Sequence, residues 1–293
     1  MSAAPFHLQN SPNQTDVDNR LTLICISDLH SHSLPTLPPG DLLIVAGDLT
    51  EGKPDQLLSR LSELADIRSR YTAVIVIGGN HDRALDPCCD QRDGEIFQDI
   101  PERLACRKRF SDNFGGITYL ENSGTEINIG GRKLKIWGSP GSLASSKQTA
   151  FGYTCEEAKS YWEEVPDDTD ILITHGPPAG YLDTALGCLE LEALLWRVRP
   201  KVHVFGHIHK GRGTHLRGYD DSHHEYQEKI SEILKEKRKA TAGKYVPRAK
   251  REANMNAELP TMPTYQPEAE PGTVLVNAAF MGNVELGAVE VFM

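Results

Sequence analysis

The sequence predicts an α/β protein. Three observations carry that prediction: short Val- and Ile-rich runs bounded by Gly or Pro recur along the chain, helix-period segments lie between them, and the two kinds alternate. The first run, LTLICIS at 21–27, is apolar but for Thr22 and its final Ser27, as a strand buried on both faces should be. DLLIVAG at 41–47 repeats the pattern. The next segment, PDQLLSRLSELADI at 54–67, changes period and places Leu57, Leu58, Leu61, Leu64 and Ala65 on one helical stripe. Strands are expected again at 72–79 (TAVIVIGG) and 133–139 (KLKIWGS). Behind a Thr154 cap, TCEEAKSYWEEV aligns Ala158, Tyr161, Trp162 and Val165 as a second helix. DILITHG at 170–176 reads as a strand, LELEALLWRV as a helix carrying Leu191, Leu194, Leu195 and Val198, and VHVFGH at 202–207 as another strand.

The rhythm breaks at about 218–272, where the chain turns highly charged and then Pro-rich (ELPTMPTYQPEAEPG) before TVLVNAAF and GAVEVF resume a strand pattern. Strand-like sequence on both sides marks this stretch as an insertion into one domain spanning 20–293. Tyr226, Ile230, Ile233 and Leu234 fall at helical spacing inside it, and the rest reads as loop. Because it contains none of the candidate site residues, a short linker in its place should leave the fold intact. Residues 1–19 are polar and aperiodic and read as a flexible leader.

Composition narrows the function. With 31 Lys+Arg against 41 Asp+Glu the formal charge is -10, which disfavours nucleic acid and anionic membranes as partners. The basic stretch KEKRKATAGKYVPRAKR is read as a solvated face. No apolar run is long enough to span a bilayer and no signal peptide opens the chain, so a cytoplasmic enzyme is expected, with a nuclear location as the alternative. The six cysteines show no C-x-x-C pair or regular spacing, which argues for reduced thiols and against a disulfide framework or thiolate metal site.

The strand ends are the informative places. Five apolar runs end in metal-ligating or acid-base groups: Asp28 and His30, then Asp48, then Asn80, His81 and Asp82, then His175, then His207 and His209. In an open α/β sheet, ligands bind beyond the carboxyl ends of the strands, so groups scattered along the chain can converge. Two divalent cations need a bridging carboxylate and a mixture of oxygen and nitrogen donors. Asp48 suits the bridge; Asp28, His30 and His209 suit one ion, and Asn80, His175 and His207 the other. His81, beside Asn80, is placed to protonate a leaving oxygen. Asp82 either orients His81 or caps a helix.

In order, D-x-H, G-D, G-N-H-D, the histidine of THGPP and G-H-x-H resemble the five-motif signature of the calcineurin-like metallophosphoesterase superfamily. THGPP, YLD, GC before a helix, and RPKVHVFGHIH are most similar to its metallophosphoesterase-domain-containing (MPPED-like) branch. That resemblance implies a four-layer αββα sandwich of two mixed sheets flanked by helices. It also implies a dinuclear centre, with manganese expected and iron, zinc, cobalt or magnesium as alternatives. The implied activity is a phosphodiesterase acting on small phosphate esters, cyclic nucleotides among them, through attack by a hydroxide held between the metals. Two stretches depart from the pattern: GSPGSLASSKQTAFGY lacks the expected aromatic loop, and the 218–272 insertion is unusual. Both concern the substrate.

Three other readings fit the residues less well. Pairing His30 with His32 would give the His-x-His opening of an amidohydrolase-type barrel, but the remaining motifs complete an Asp-x-His site. A nuclease using the same residues would want a basic groove, which the acidic total disfavours. A metal-stabilised scaffold binding an unknown protein through the insertion would not need an intact ligand set. His203, His215, His223 and His224 belong to no motif and read as structural; Trp137, Trp162 and Trp196 read as packing residues.

Overall fold

Val- and Ile-rich strands with few polar positions cannot leave either face in water, and the chain satisfies them by stacking two sheets and covering both outer faces with helices. The computed structural model describes residues 20–92, 95–96, 99–144, 149–241, 260–264, 271–280 and 288–293. The predicted leader and much of the Pro-rich half of the insertion lie outside the described residues.

One sheet holds β1 (Thr22–Ile26), β2 (Leu42–Ala46), β3 (Ala73–Ile77), β4 (Thr118–Tyr119) and β11 (Val289–Phe292), in the order β11-β1-β2-β3-β4. All its pairs are parallel except β11 with β1. The other large sheet holds β5 (Ser123–Ile129), β6 (Arg132–Ser139), β7 (Ile171–Thr174), β8 (Val202–Phe205), β9 (Gly213–Arg217) and β10 (Thr273–Asn277), in the order β9-β10-β8-β7-β6-β5. Its central pairs are parallel, and antiparallel strands close both edges.

Strand alternation decides which layer each side chain joins. Leu23 and Cys25 of β1, Leu42 and Ile44 of β2 and Ile75 of β3 point inward against Ile136, Ile173, Val204 and Val276 of the opposing sheet. The intervening Ile24, Leu43, Val45 and Val74 point outward, where helices α1 (Pro54–Ile67) and α2 (Ile100–Ser111) cover them with Leu57, Leu61, Cys106 and Phe110. On the far side, Leu172, Phe205 and Leu275 meet α3 (Ala158–Trp162), α4 (Leu189–Val198) and α5 (Asp221–Thr241). These three apolar interfaces separate four layers, helix, sheet, sheet, helix, as the resemblance implied.

Some elements differ from expectation. The second helix is shorter than its apolar stripe, although Thr154 and Glu157 do exchange hydrogen bonds (Glu157 N to Thr154 Oγ1, 3.3 Å; Thr154 N to Glu157 Oε2, 2.9 Å), the pattern of a capping box. The charged stretch is not decoration throughout. Its first half is α5, whose Tyr226, Ile230 and Leu234 are buried in the outer core, so exchanging all of 218–272 for a short linker would strip that face of its cover. All six cysteines are free thiols. Among the described residues no helix is long and apolar enough to cross a membrane.

At one end of the sandwich the two sheets are joined directly. Just past β1, the Ser27 amide donates to Ala278 O at 3.0 Å, and Phe280 N returns a bond to Ser27 O at 2.8 Å beyond the end of β10. The loops that leave β1, β2, β3, β7 and β8 emerge at this end.

Candidate metal centre

Every predicted ligand lies within a few residues of a strand's carboxyl end. Asp28 and His30 come after β1, Asp48 after β2, Asn80 after β3, His175 after β7, and His207 and His209 after β8. Their donor atoms converge. His209 Nε2 lies 3.2 Å from Asp28 Oδ1 and 3.2 Å from His30 Nε2. His175 Nε2 lies 3.3 Å from Asp48 Oδ2 and 3.0 Å from Asn80 Oδ1, which is also 2.7 Å from His207 Nδ1. His30 Nε2 stands 3.9 Å from both Asp28 and Asp48, so Asp48 sits between the two groups. The structure thus brings all seven predicted ligands together. His32 is exposed and stands outside the cluster.

The backbone at these positions is held where side-chain-bearing residues rarely go. Asp28, His30, Asp48 and His207 all have left-handed φ, at 58°, 50°, 50° and 66°. Each costs on the order of 1–3 kcal/mol, and such residues gather at functional sites. Glycines make room for this crowding: a Cβ on Gly79 would come within 2.4 Å of Asp48 Oδ1, and one on Gly206 within 2.3 Å of Asp28 Oδ2.

Supporting bonds hold the loops. Asp28, fully buried, accepts the His207 amide at 3.0 Å, tying the first loop to the last. Arg60 of α1 donates to Leu49 O at 3.2 Å and also to His32 O, clasping the loops after β1 and β2. Asp82 neither orients His81 nor caps a helix. Its buried carboxylate accepts Leu49 N and Thr50 N, each at 3.1 Å, Thr50 Oγ1 at 3.3 Å and Gly79 N at 2.9 Å, which stitches the Asp48 loop to the Asn80 loop. Burial, reinforced by the charge of Asp48, pushes the Asp82 carboxyl up to about 7.

The electrostatics suit cations. Burial would raise the carboxyls of Asp28 and Asp48. For Asp28 a hydrogen bond to His209 together with the charges of His175 and His209, and for Asp48 the charge and hydrogen bond of His175, outweigh it, and both are held below the usual carboxylate range. For His175 burial opposes protonation, but Asp48 outweighs it and lifts the imidazole to about 9. Protons therefore stand in this site where a dication would neutralise the same buried carboxylates, and metal loading should release them. His175 Nδ1 donates to Ala46 O at 2.9 Å, so release of the second proton, the one on Nε2, would bare a lone pair toward the site in the orientation in which metal-bound histidines are commonly fixed. The carboxylate and imidazole donors fall into three overlapping groups, Asp28 with His30 and His209, Asp48 with His30 and His81, and Asp48 with His175 and His207, and such mixed oxygen and nitrogen donors fit a pair of borderline or hard divalent ions.

His81 adjoins the cluster, its ring 4.7 Å from that of His30 and edge-on to it. Its amide donates to Asp48 Oδ1 at 2.8 Å, and Nδ1 lies 3.1 Å from Glu51 Oε2. Glu51 also reaches His30 Nδ1 with its other oxygen, at 3.3 Å. Sequence reasoning missed Glu51, Arg60 and Asn277, whose side-chain amide bonds the carbonyl between His207 and His209. Glu51 lies three residues beyond Asp48 and could have been suspected as a carboxylate just outside a ligand motif; for Arg60 and Asn277 no sequence signal exists.

Comparison with known proteins agrees with this geometry. The family described as calcineurin-like phosphoesterase matches residues 21–211, which takes in every residue of the cluster. The chain belongs to that family. It is 34% identical over 210 residues to metallophosphoesterase domain-containing protein 1 of Homo sapiens, which bears out the branch the motifs indicated, covering 65% of this chain and 61% of that protein. It is likewise 34% identical over 216 residues to UPF0046 protein K07C11.7 of Caenorhabditis elegans, covering 70% and 69%. A probable rhamnogalacturonate lyase C of Emericella nidulans is 39% identical over 208 residues, 69% of this chain but only 18% of that much longer protein.

Proposed function

We propose that this chain is a dinuclear-metal phosphoesterase, a phosphodiesterase of small phosphate esters that include cyclic nucleotides, with manganese as its working metal. One observation supports this reading above the rest: seven candidate donors from five strand ends meet around Asp48, four of them on left-handed backbone. Asp28, His30 and His209 would hold one ion, Asn80, His175 and His207 the other, and Asp48 both. When bound, the ions supply Lewis acidity to the phosphoryl group and a nucleophile near neutral pH.

The protein's own residues do the rest. Asp28 and Asp48, buried and ionised, set the negative field that the ions neutralise. Glu51 holds Nδ1 of His81, which steadies the ring and leaves Nε2 to pass a proton to the departing oxygen. The ring is partly open to solvent, so an ester group can reach it. The Asp82 and Arg60 bonds keep the three N-terminal loops in register, so little reorganisation accompanies the reaction.

The test is a screen of manganese-reconstituted protein against mono-, di- and cyclic phosphate esters. The expected result is metal-dependent hydrolysis with diesters preferred. No turnover of any phosphate ester by protein carrying both ions would overturn the reading.

A further inference from the structure

The loop carrying His207 and His209 leaves β8 after Phe205 and enters β9 at Gly213, and both strands pair with β10. It therefore arches over the end of β10, whose last residue, Asn277, lies opposite both Phe205 and Gly213. The Asn277 side chain is fully buried and fills the arch. Its amide nitrogen donates to Ile208 O at 2.9 Å, the carbonyl between the two histidines, and to Leu182 O at 3.0 Å. Its amide oxygen accepts Ala279 N at 3.2 Å. Both donors are thus spent, which leaves the amide no freedom to turn.

What it braces is strained. His207 has left-handed φ, and Ile208 O also receives the Gly211 amide at 2.9 Å, closing the arch on itself. On the other side, Leu182 O belongs to a turn in which Leu182, Thr184 and Ala185 all have positive φ, at 54°, 46° and 63°. Asp183, buried in that turn, accepts Gly180 N, Ala185 N and Gly187 N. Packing is tight enough that a Cβ on Gly211 would meet Leu182 O at 1.8 Å. Two strained loops therefore meet at one amide group.

We propose that Asn277 is a positioning residue for the metal centre: by bonding the carbonyl between His207 and His209, and anchoring it to the Asp183 turn, it fixes the spacing and direction of those imidazoles. A side chain outside the ligands that orients them is worth roughly 10–100-fold in metal affinity. The inference rests on the reading of His207 and His209 as metal ligands.

Asn277→Asp tests it, because the carboxylate keeps the shape but loses both donors and faces two carbonyls. The readouts are manganese stoichiometry after gel filtration, affinity by chelator competition, and the near-ultraviolet circular dichroism of the folded protein. Wild type is expected to hold two ions. The variant is expected to fold with wild-type dichroism, to bind manganese roughly 10–100-fold more weakly, and to regain most of its rate when the metal is raised to saturation. Should Asn277→Asp fail to fold, Asn277→Ser, neutral and able to donate one bond, replaces it with the same expected weakening. Wild-type affinity in either folded variant, whatever its stability, would overturn the positioning role. Wild type that binds no metal would instead overturn the ligand reading on which it rests, so the two failures are distinct.

Discussion

Replacing Asp82 with Ala removes a carboxylate that accepts three backbone amides, those of Leu49, Thr50 and Gly79, and the Thr50 hydroxyl, at a position with no solvent exposure. Each buried amide left without a partner costs about 1–3 kcal/mol. Three of them cost ~3 kcal/mol or more even if water enters the vacated space, a gross loss that relief of the Asp82 desolvation offsets only in part when the carboxyl is kept neutral below about pH 7, and a large share of the ~5–15 kcal/mol that holds a domain folded. Asp82→Asn keeps one acceptor oxygen but turns an amide donor toward the other donors, so it should cost less than Ala and more than nothing. Urea unfolding of metal-free protein measures both, since bound metal would add its own stabilisation. A loss under ~1 kcal/mol for Asp82→Ala, or an Asn variant as weak as the Ala variant, would refute the stitching role.

His81→Ala should keep both metals and lose about 10²–10⁴-fold on esters with an alkoxide leaving group, but far less on activated aryl esters, which depart without a proton; metal loss in that variant would make His81 a ligand. Burial, with the charge of Arg217, holds the His203 imidazole down to about 3, while an unfolded histidine titrates near ~6.5. The unfolded chain therefore takes up a proton first as the pH falls, and the stabilisation is full above ~6.5 and is lost toward ~3, at up to ~1.4 kcal/mol per pH unit. The stability difference between wild type and His203→Gln should accordingly change between about pH 6.5 and about 4.5, in contrast to a pH-independent offset, when urea curves are compared at steps of about half a unit. Leu234 of α5 has no solvent exposure, so Leu234→Ala should cost ~2–5 kcal/mol in the same unfolding assay, whereas an α5 that merely decorates the surface would tolerate it.

The fold class was legible because the strands are buried on both faces and therefore write themselves as unbroken Val and Ile runs between glycines. β5 was not read: up to its buried last residue, Ile129, its residues alternate between half-buried and exposed at a sheet edge, so SGTEINI carries little apolar signal. α2 was missed for a related reason, since its buried positions are Arg103, Cys106 and Phe110 within a charged sequence. The convergence of the candidate ligands was legible because metal chemistry restricts the residue types and the fold restricts them to strand ends. The residues that hold those side chains in place were not. Arg60 acts on the site through backbone carbonyls, Asn277 acts through Ile208 O, and Asp82 accepts backbone amides, so none leaves a pattern with its neighbours in sequence. The charged stretch after residue 217 misled in part because the few apolar residues of α5 are diluted among Lys and Glu, as befits a helix with one buried stripe.

If Asp48 and the six candidate ligands around it hold two ions, hydrolysis must depend on both. Stepwise manganese titration of chelator-stripped protein, with bound metal and phosphodiester turnover read from the same samples, tests it most directly. The expected result is two ions per chain, no turnover without metal, and full turnover only at the second equivalent, with Asp48→Ala losing metal and activity together. Undiminished turnover in fully stripped protein, or an Asp48→Ala variant that still binds two ions, would contradict it.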